Sequence, residues 1–452
     1  INGMAAGELT EGVPANLYIG DGTAVVGNRS VDNRSFLFPG TIGSAEFVAA
    51  ASTAEQIREL AKKTGATAPN VAPMTRVTNP PGYHWFGYYD KFQFSPDQRY
   101  LLAGEVAFEN RKPMASDEVT IGMIDLQNQN QWIPIGKTHA WNWQQGSMLQ
   151  WRPNSTEVHW NDRDDDRFVT RVYDTKTQTT RTLPRPIYHV SPDGKFAIGA
   201  DFSRIQDMRA GYGYAGIPDP NHDEIAPESS SIYRIDLDTG VSKDLVRLSD
   251  VAAIKGSGKF KFDNSVHYFN HLQFSPDGSK FLFLHRWIPK GRGFGTRFFT
   301  ANIDGSNLQI LSEDSALSHY VWRDNTSVLI WSGQRKGYAI YELGKGYVST
   351  VLEAENGHQS YVPGTNNRWI LTDTYPDGDR AQLLYLYDTK NDEVVVVASK
   401  RAPKKYTGEF RVDFHPRLSR DGKKVVIDGA FEDLGRQQYM IDISSIIDTS
   451  TP

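Results

Sequence analysis

The sequence predicts an all-β chain: a seven-bladed β-propeller preceded by a short N-terminal helical cap segment. Two repeats and one absence carry that prediction. A strand running into a tight turn recurs seven times: FQFSPDQRYLLAG from Phe92, LQWRPNSTEVHW from Leu149, YHVSPDGKFAIGA from Tyr188, LQFSPDGSKFLFL from Leu272, YVWRDNTSVLIW from Tyr320, SYVPGTNNRWILT from Ser360 and PRLSRDGKKVVID from Pro416. A second apolar run follows each copy: TIGMIDLQ, RFVTRVYDTKT, SIYRIDLDTG, RFFTANIDGS, GYAIYELGKG, LLYLYDTKND and QQYMIDIS. No apolar run reaches the roughly 18 residues that a membrane helix needs.

The Pro-Asp-Gly type of turn is what antiparallel neighbours require. With the short third strands that usually follow (QWIPIG, KDLVRL, LQILSE, EVVVVAS), each unit reads as a four-stranded blade. A tandem of β-sandwiches lacks such a recurring grammar. After QQYMIDIS the chain ends almost at once, one strand short of a full blade. MTRVTN from Met74 is placed to supply that strand and close the ring. We therefore assign residues 74–452 to the propeller and residues 1–73 to a cap segment. Within the cap, STAEQIRELAKKTG has an N-cap Ser52, a Glu55 three residues later and a terminal Gly65, so a helix is expected over about 52–65.

The 452 residues carry a formal charge of −5, which argues against nucleic acid as a partner, and nothing suggests a membrane. With no cysteine, disulfides, thiolate metal sites and cysteine nucleophiles are excluded. The sequence opens on Ile with no charged-then-apolar leader, so any export signal has been removed or was never there; a secreted or periplasmic location and a monomer are expected.

In a propeller, the loops at one mouth of the channel form the site, so functional side chains come from several blades. Polar residues at blade starts therefore matter most. His139 precedes the second blade and His159 ends its hairpin. Tyr188 opens the third blade and Arg204 follows its second strand. Each also has a plain structural reading: Arg204 suits an ion pair with Asp201 or Asp207, and Tyr188 suits core packing with a satisfied hydroxyl. As a set they suit β-elimination from a uronic acid. An arginine fork neutralises the carboxylate, and His and Tyr move the protons. A tyrosine base would need a nearby arginine charge, because a free phenol titrates near ~10. Glycoside hydrolysis wants two facing carboxylates instead, and the NDRDDDR run from Asn161 reads as a hairpin tip. GYGYAG from Gly211 imitates a dinucleotide fingerprint, but IPDPNHDE after it cannot open a helix, so it is a loop.

HYFNHLQFSPDG and NGHQSYVPG resemble the blade starts of oligogalacturonate lyases. The spacing of His139 to His159 and of Tyr188 to Arg204 resembles the seven-bladed ulvan lyases more closely. That resemblance implies an enzyme cleaving ulvan, an anionic sulfated polysaccharide, by β-elimination. Tyr188 and His139 would serve as base and acid, and Arg204 and His159 would neutralise the uronate. It also implies further substrate contacts, for which Arg209, Tyr212, Tyr214, Trp141 and Arg286 are candidates. No cofactor is then required for catalysis. The oligogalacturonate lyases hold a divalent ion through histidines and a glutamine, and His271, His358, Gln359, Asp413 and His415 approximate that set. Such an ion (zinc, calcium or manganese) is expected to be structural. His267 and His271, four apart on one strand, are expected to share a face. The alternatives are an oligogalacturonate lyase using a divalent metal, and a non-catalytic propeller scaffold.

Overall fold

The computed structural model describes residues 72–258, 264–289, 293–314, 316–378 and 380–447. The chain divides into two compact units, Ile1–Val71 and Ala72–Pro452. The first unit, with the expected helix over 52–65, lies outside the described residues.

The second unit is built from seven four-stranded antiparallel sheets. Six are consecutive in sequence, spanning residues 83–138, 150–183, 189–247, 265–312, 317–353 and 360–401. The seventh takes three strands from residues 417–442 and its outermost strand from Met74–Arg76. Met74, Thr75 and Arg76 pair with Ile441, Met440 and Tyr439. The ring is thus closed by the segment the sequence singled out. Among the described residues, no helix is long and apolar enough to cross a membrane.

The recurring turn is held the same way in several blades. Ser95, Ser191, Ser275 and Ser419 each donate from Oγ to the aspartate two residues on, Asp97, Asp193, Asp277 and Asp421. Each serine Oγ also accepts the N–H of a residue on the next strand. Such side-chain-to-backbone bonds give the turn its geometry and fix hairpin register. Register in turn decides which residues reach the channel mouth.

Two segments depart from the four-strand plan and build that mouth. Residues 86–92, between Tyr83–Trp85 and the bridge from Phe94 to Leu101, turn inward over the channel. Gly87 makes this possible. Its φ is +124°, and a Cβ there would come within 2.7 Å of the Gln145 backbone. The second segment is the long excursion of the third blade, residues 200–230, which contains the helix Phe202–Met208 capped by Asp201. GYGYAG lies in its loop, as expected.

Candidate functional site

Counting back four residues from the residue that opens each first turn (Ser95, Arg152, Ser191, Ser275, Arg323, Pro363, Ser419) gives one equivalent position per blade. The occupants are Lys91, Met148, Ile187, His271, His319, Gln359 and His415. Repetition places these seven side chains at one level of the channel. In the fourth to seventh blades all four are potential metal ligands, and His358 precedes Gln359. His271 and His415 hold left-handed backbone conformations, φ 48° and 42°. Such a conformation costs a non-glycine residue about 1 kcal/mol or more and is characteristic of functional sites.

The rings converge. His319 and His358 lie 4.1 Å apart between centroids, and His358 and His415 4.3 Å. Tyr88 packs edge-on against His271, His319, His358 and His415 at 5.1 to 6.1 Å. One ligand atom each from His358, Asp413 and His415 falls within 4.8 Å of the others, and all three residues are buried. Asp373 holds His358 through Nδ1 at 2.9 Å, leaving Nε2 to act as a ligand. Asn356 likewise holds His319 Nδ1 at 3.0 Å.

Several polar atoms here are buried without a hydrogen-bond partner among the described residues: Gln359 Oε1, Asp413 Oδ1 and His271 Nε2. Orphans of this kind are costly unless something satisfies them. Burial, helped by neighbouring histidines and arginines, also pushes His319 and His415 well below the usual imidazole range. Neutral imidazoles beside a carboxylate and an amide oxygen fit a divalent cation.

A cavity of about 300 Å³ opens beside this cluster, lined among others by Tyr88, Arg209, Tyr212, His271, Arg286, His319 and Tyr375. Arg286 is buried there, with Nε and Nη1 lacking a hydrogen-bond partner among the described residues. Arg286 and Arg209 both stack on Phe294, at 4.6 and 4.8 Å from its centroid. A buried unpaired guanidinium is expensive, and its planar fork matches a carboxylate.

The expected substrate contacts therefore separate into two groups. Arg209, Tyr212 and Arg286 meet in this cavity. Tyr214 does not: it is buried, stacked on Phe202 at 4.4 Å, and its hydroxyl accepts from Asn161. Trp141 is packed between Trp85 and Trp143, and its Nε1–H goes to the Asp117 carbonyl.

The expected catalytic four are not brought together. Among the described residues, no hydrogen bond, ion pair or ring contact joins any two of them. Arg204 spends all five N–H donors within the protein, on Asp219 and on the carbonyls of His267, Asn221, Glu224 and Ile225. No donor remains for a substrate carboxylate. Its ion-pair partner is Asp219, whereas Asp201 caps the helix and Asp207 meets His222. Tyr188 is buried, and its hydroxyl is engaged by Gln145 and Asn270. His159 is buried on the second strand of its blade, its Nε2 3.6 Å from Glu157. His139 is half-exposed and faces the Asp117 carbonyl and Glu118. The Tyr188 hydroxyl is satisfied as its structural reading expects, whereas Arg204 is paired with Asp219 and not with the expected Asp201 or Asp207.

The expected metal set fares differently. His358, Asp413 and His415 converge, and Gln359, the residue after His358, keeps a buried Oε1 with no partner among the described residues. His271 joins the ring of imidazoles but turns Nε2 toward Asp90, at 3.5 Å. It does not share a face with His267, because a bulge between Asn270 and Gln273 breaks the two-residue alternation. His267 meets His285 instead. Sequence reasoning missed His319, Tyr88 and Tyr375. His319 was accessible by the same counting from the turn.

No family model and no curated protein sequence matches the chain. Among solved structures it resembles an oligogalacturonate lyase in complex with manganese (17% identity, TM-score 0.59), covering 82% of this chain and 93% of that one. It also resembles the oligogalacturonate lyase of Vibrio parahaemolyticus (12% identity, TM-score 0.58), covering 83% and 94%. At these identities the likeness is one of fold, the seven-bladed propeller.

Proposed function

We propose that this protein is a polysaccharide lyase, cleaving a uronate-containing polymer by β-elimination in the cavity beside the histidine cluster. One observation carries the reading. Arg286, a buried guanidinium with two unsatisfied nitrogens, opens into the same cavity as a histidine ring whose neighbouring His358, Asp413 and His415 are arranged for a metal. A pocket offering cationic groups and neutral imidazoles suits an acidic sugar and suits nothing apolar.

His358, Gln359, Asp413 and His415 would hold the ion, with His319 adjacent. When bound it would draw charge from the uronate carboxylate and make the neighbouring carbon acid stronger. Arg286 binds and orients the carboxylate through its free N–H groups. Tyr88, closed over the imidazoles, limits water at the reacting carbon. Solved structures of like fold include oligogalacturonate lyases, one of them with manganese, which supports a manganese-type ion and a galacturonate oligomer as first choices.

Ulvan is the second substrate reading. It drew on the spacing of His139, His159, Tyr188 and Arg204, whose side chains do not meet, so the galacturonate reading is favoured. The test is a panel of pectin fragments, ulvan, alginate and glycosaminoglycans, following the ultraviolet absorbance of unsaturated uronate with and without a chelator. Metal-dependent product from pectin fragments supports the proposal. Product from ulvan alone would transfer it to the second substrate, and no product from any polymer would defeat it.

A further inference from the structure

We propose that Tyr212 is the proton acceptor of the eliminative reaction, held for that task by Arg411 and Arg209. This rests on the lyase reading and names the group that the reading leaves open.

Tyr212 lines the cavity with Arg286 and His271. Its hydroxyl oxygen accepts an N–H from Arg411 Nη2 at 3.1 Å, and no described residue accepts its own proton. The Arg209 guanidinium carbon sits over its ring, 3.9 Å from the centroid. Three other buried tyrosines spend their hydroxyls on the fold: Tyr89 donates to the Tyr320 carbonyl, Tyr320 to the His271 carbonyl, and Tyr188 is held by Gln145. The buried Tyr268 hydroxyl, by contrast, has no partner among the described residues and no arginine bonded to it.

The placement is built in. Asp413 grips Arg411 Nε at 2.8 Å, so the arginine that meets Tyr212 is oriented by a residue of the metal cluster. Gly211, at φ +92°, presses against Glu409 so closely that a Cβ would lie 2.8 Å from the glutamate Cβ. Only glycine lets the Arg209–Tyr212 segment seat against the 408–411 turn that carries Arg411. The GYGYAG loop thereby has a positioning role in this proposal.

The charged and titratable groups facing Tyr212 are Arg209, Arg411, Asp413, Tyr88, Tyr268 and Tyr375. Burial alone pushes a phenol up, and Tyr88, Tyr268 and Tyr375 are all raised. For Tyr212 burial also acts upward, but the two guanidiniums overcome it and the net direction is down.

The step balances within the substrate and one phenol. The Tyr212 phenolate takes the proton from the carbon bearing the carboxylate. The electron pair of that C–H bond becomes the new carbon–carbon double bond. The adjacent carbon–oxygen bond breaks, and its oxygen leaves with the bonding pair. That oxygen takes the proton back from Tyr212, so phenolate is regenerated.

The experiment compares wild type with Tyr212→Phe and Arg411→Met on metal-loaded protein and pectin fragments. Tyr212→Phe should lose kcat by at least about 100-fold while KM stays within about threefold. Arg411→Met should move the acid limb of the kcat profile to higher pH, since loss of a cation makes the phenol a weaker acid. A readout independent of turnover is the phenolate absorbance titration: wild type should titrate one more phenol below pH ~10 than Tyr212→Phe. Wild-type activity retained in Tyr212→Phe within about threefold overturns this inference and leaves the lyase reading intact. An inactive wild type on every uronate polymer sinks both.

Discussion

Asp373 holds His358 through Nδ1 at 2.9 Å, with both side chains buried. The same carboxylate accepts the backbone N–H of His415 through its other oxygen at 3.2 Å. One residue therefore orients two members of the cluster. Removing an outer partner of a metal-binding histidine typically lowers affinity 10- to 100-fold. Asp373→Asn should weaken manganese binding by about that factor, measured by calorimetric titration of the metal alone. Unchanged affinity would show that the cluster is not a metal site.

Arg286 separates function from stability. Its buried guanidinium has two unsatisfied nitrogens, so it burdens the free protein. Arg286→Met should leave the melting temperature unchanged or raise it. The same variant should raise KM by about 10-fold or more, the worth of a charge-assisted hydrogen bond at ~1.5–3 kcal/mol. A lower melting temperature with normal KM would place Arg286 in the core instead of the binding site.

Arg204 and Tyr188 should behave as structural residues. Arg204→Met strands Asp219, and breaking such a buried pair costs about 3–5 kcal/mol; denaturant unfolding measures it. Tyr188→Phe removes hydroxyl contacts to Gln145 and Asn270 and should cost about 1 kcal/mol, with kcat close to wild type. A folded Tyr188→Phe protein without activity would restore Tyr188 to the chemistry.

Acid should loosen the propeller before it reaches the carboxylates. Burial drives His189 to about 3 and His267 to about 4, with Lys91 and Arg297 respectively adding to the effect. Both sit below their unfolded value, so the unfolded chain binds more protons through this range. Stability is full above about pH 6.5 and declines as pH falls toward about 4, by up to ~1.4 kcal/mol per pH unit per histidine. Melting temperature recorded from pH 7 to 4 checks this, and a flat profile contradicts it.

The blades were legible because their turn chemistry repeats, and the closing strand followed from a last blade that was one strand short. The histidine cluster was legible in part: the resemblance to oligogalacturonate lyases, with blade starts converging on the channel, grouped His271, His358, Gln359 and His415 without coordinates. Pairwise spacing proved a poorer guide. The sixteen-residue step from Tyr188 to Arg204 includes a helix start, and that helix carries Arg204 into a shell of carbonyls. No periodicity announces such an excursion. The partnership of Arg411 with Tyr212 was also hidden, since it joins a linker before the seventh blade to a loop of the third. It depends on the ring being closed, which is a tertiary fact.

Uronate elimination by the histidine cluster and its cavity, as proposed, can be tested at the reaction itself. The most direct measurement is the initial rate of unsaturated uronate formation from pectin fragments, by manganese-loaded wild type and by His415→Ala at equal folded concentration. Wild type should give metal-dependent product, and the variant should lose at least about 100-fold. Equal rates from the two proteins would contradict it.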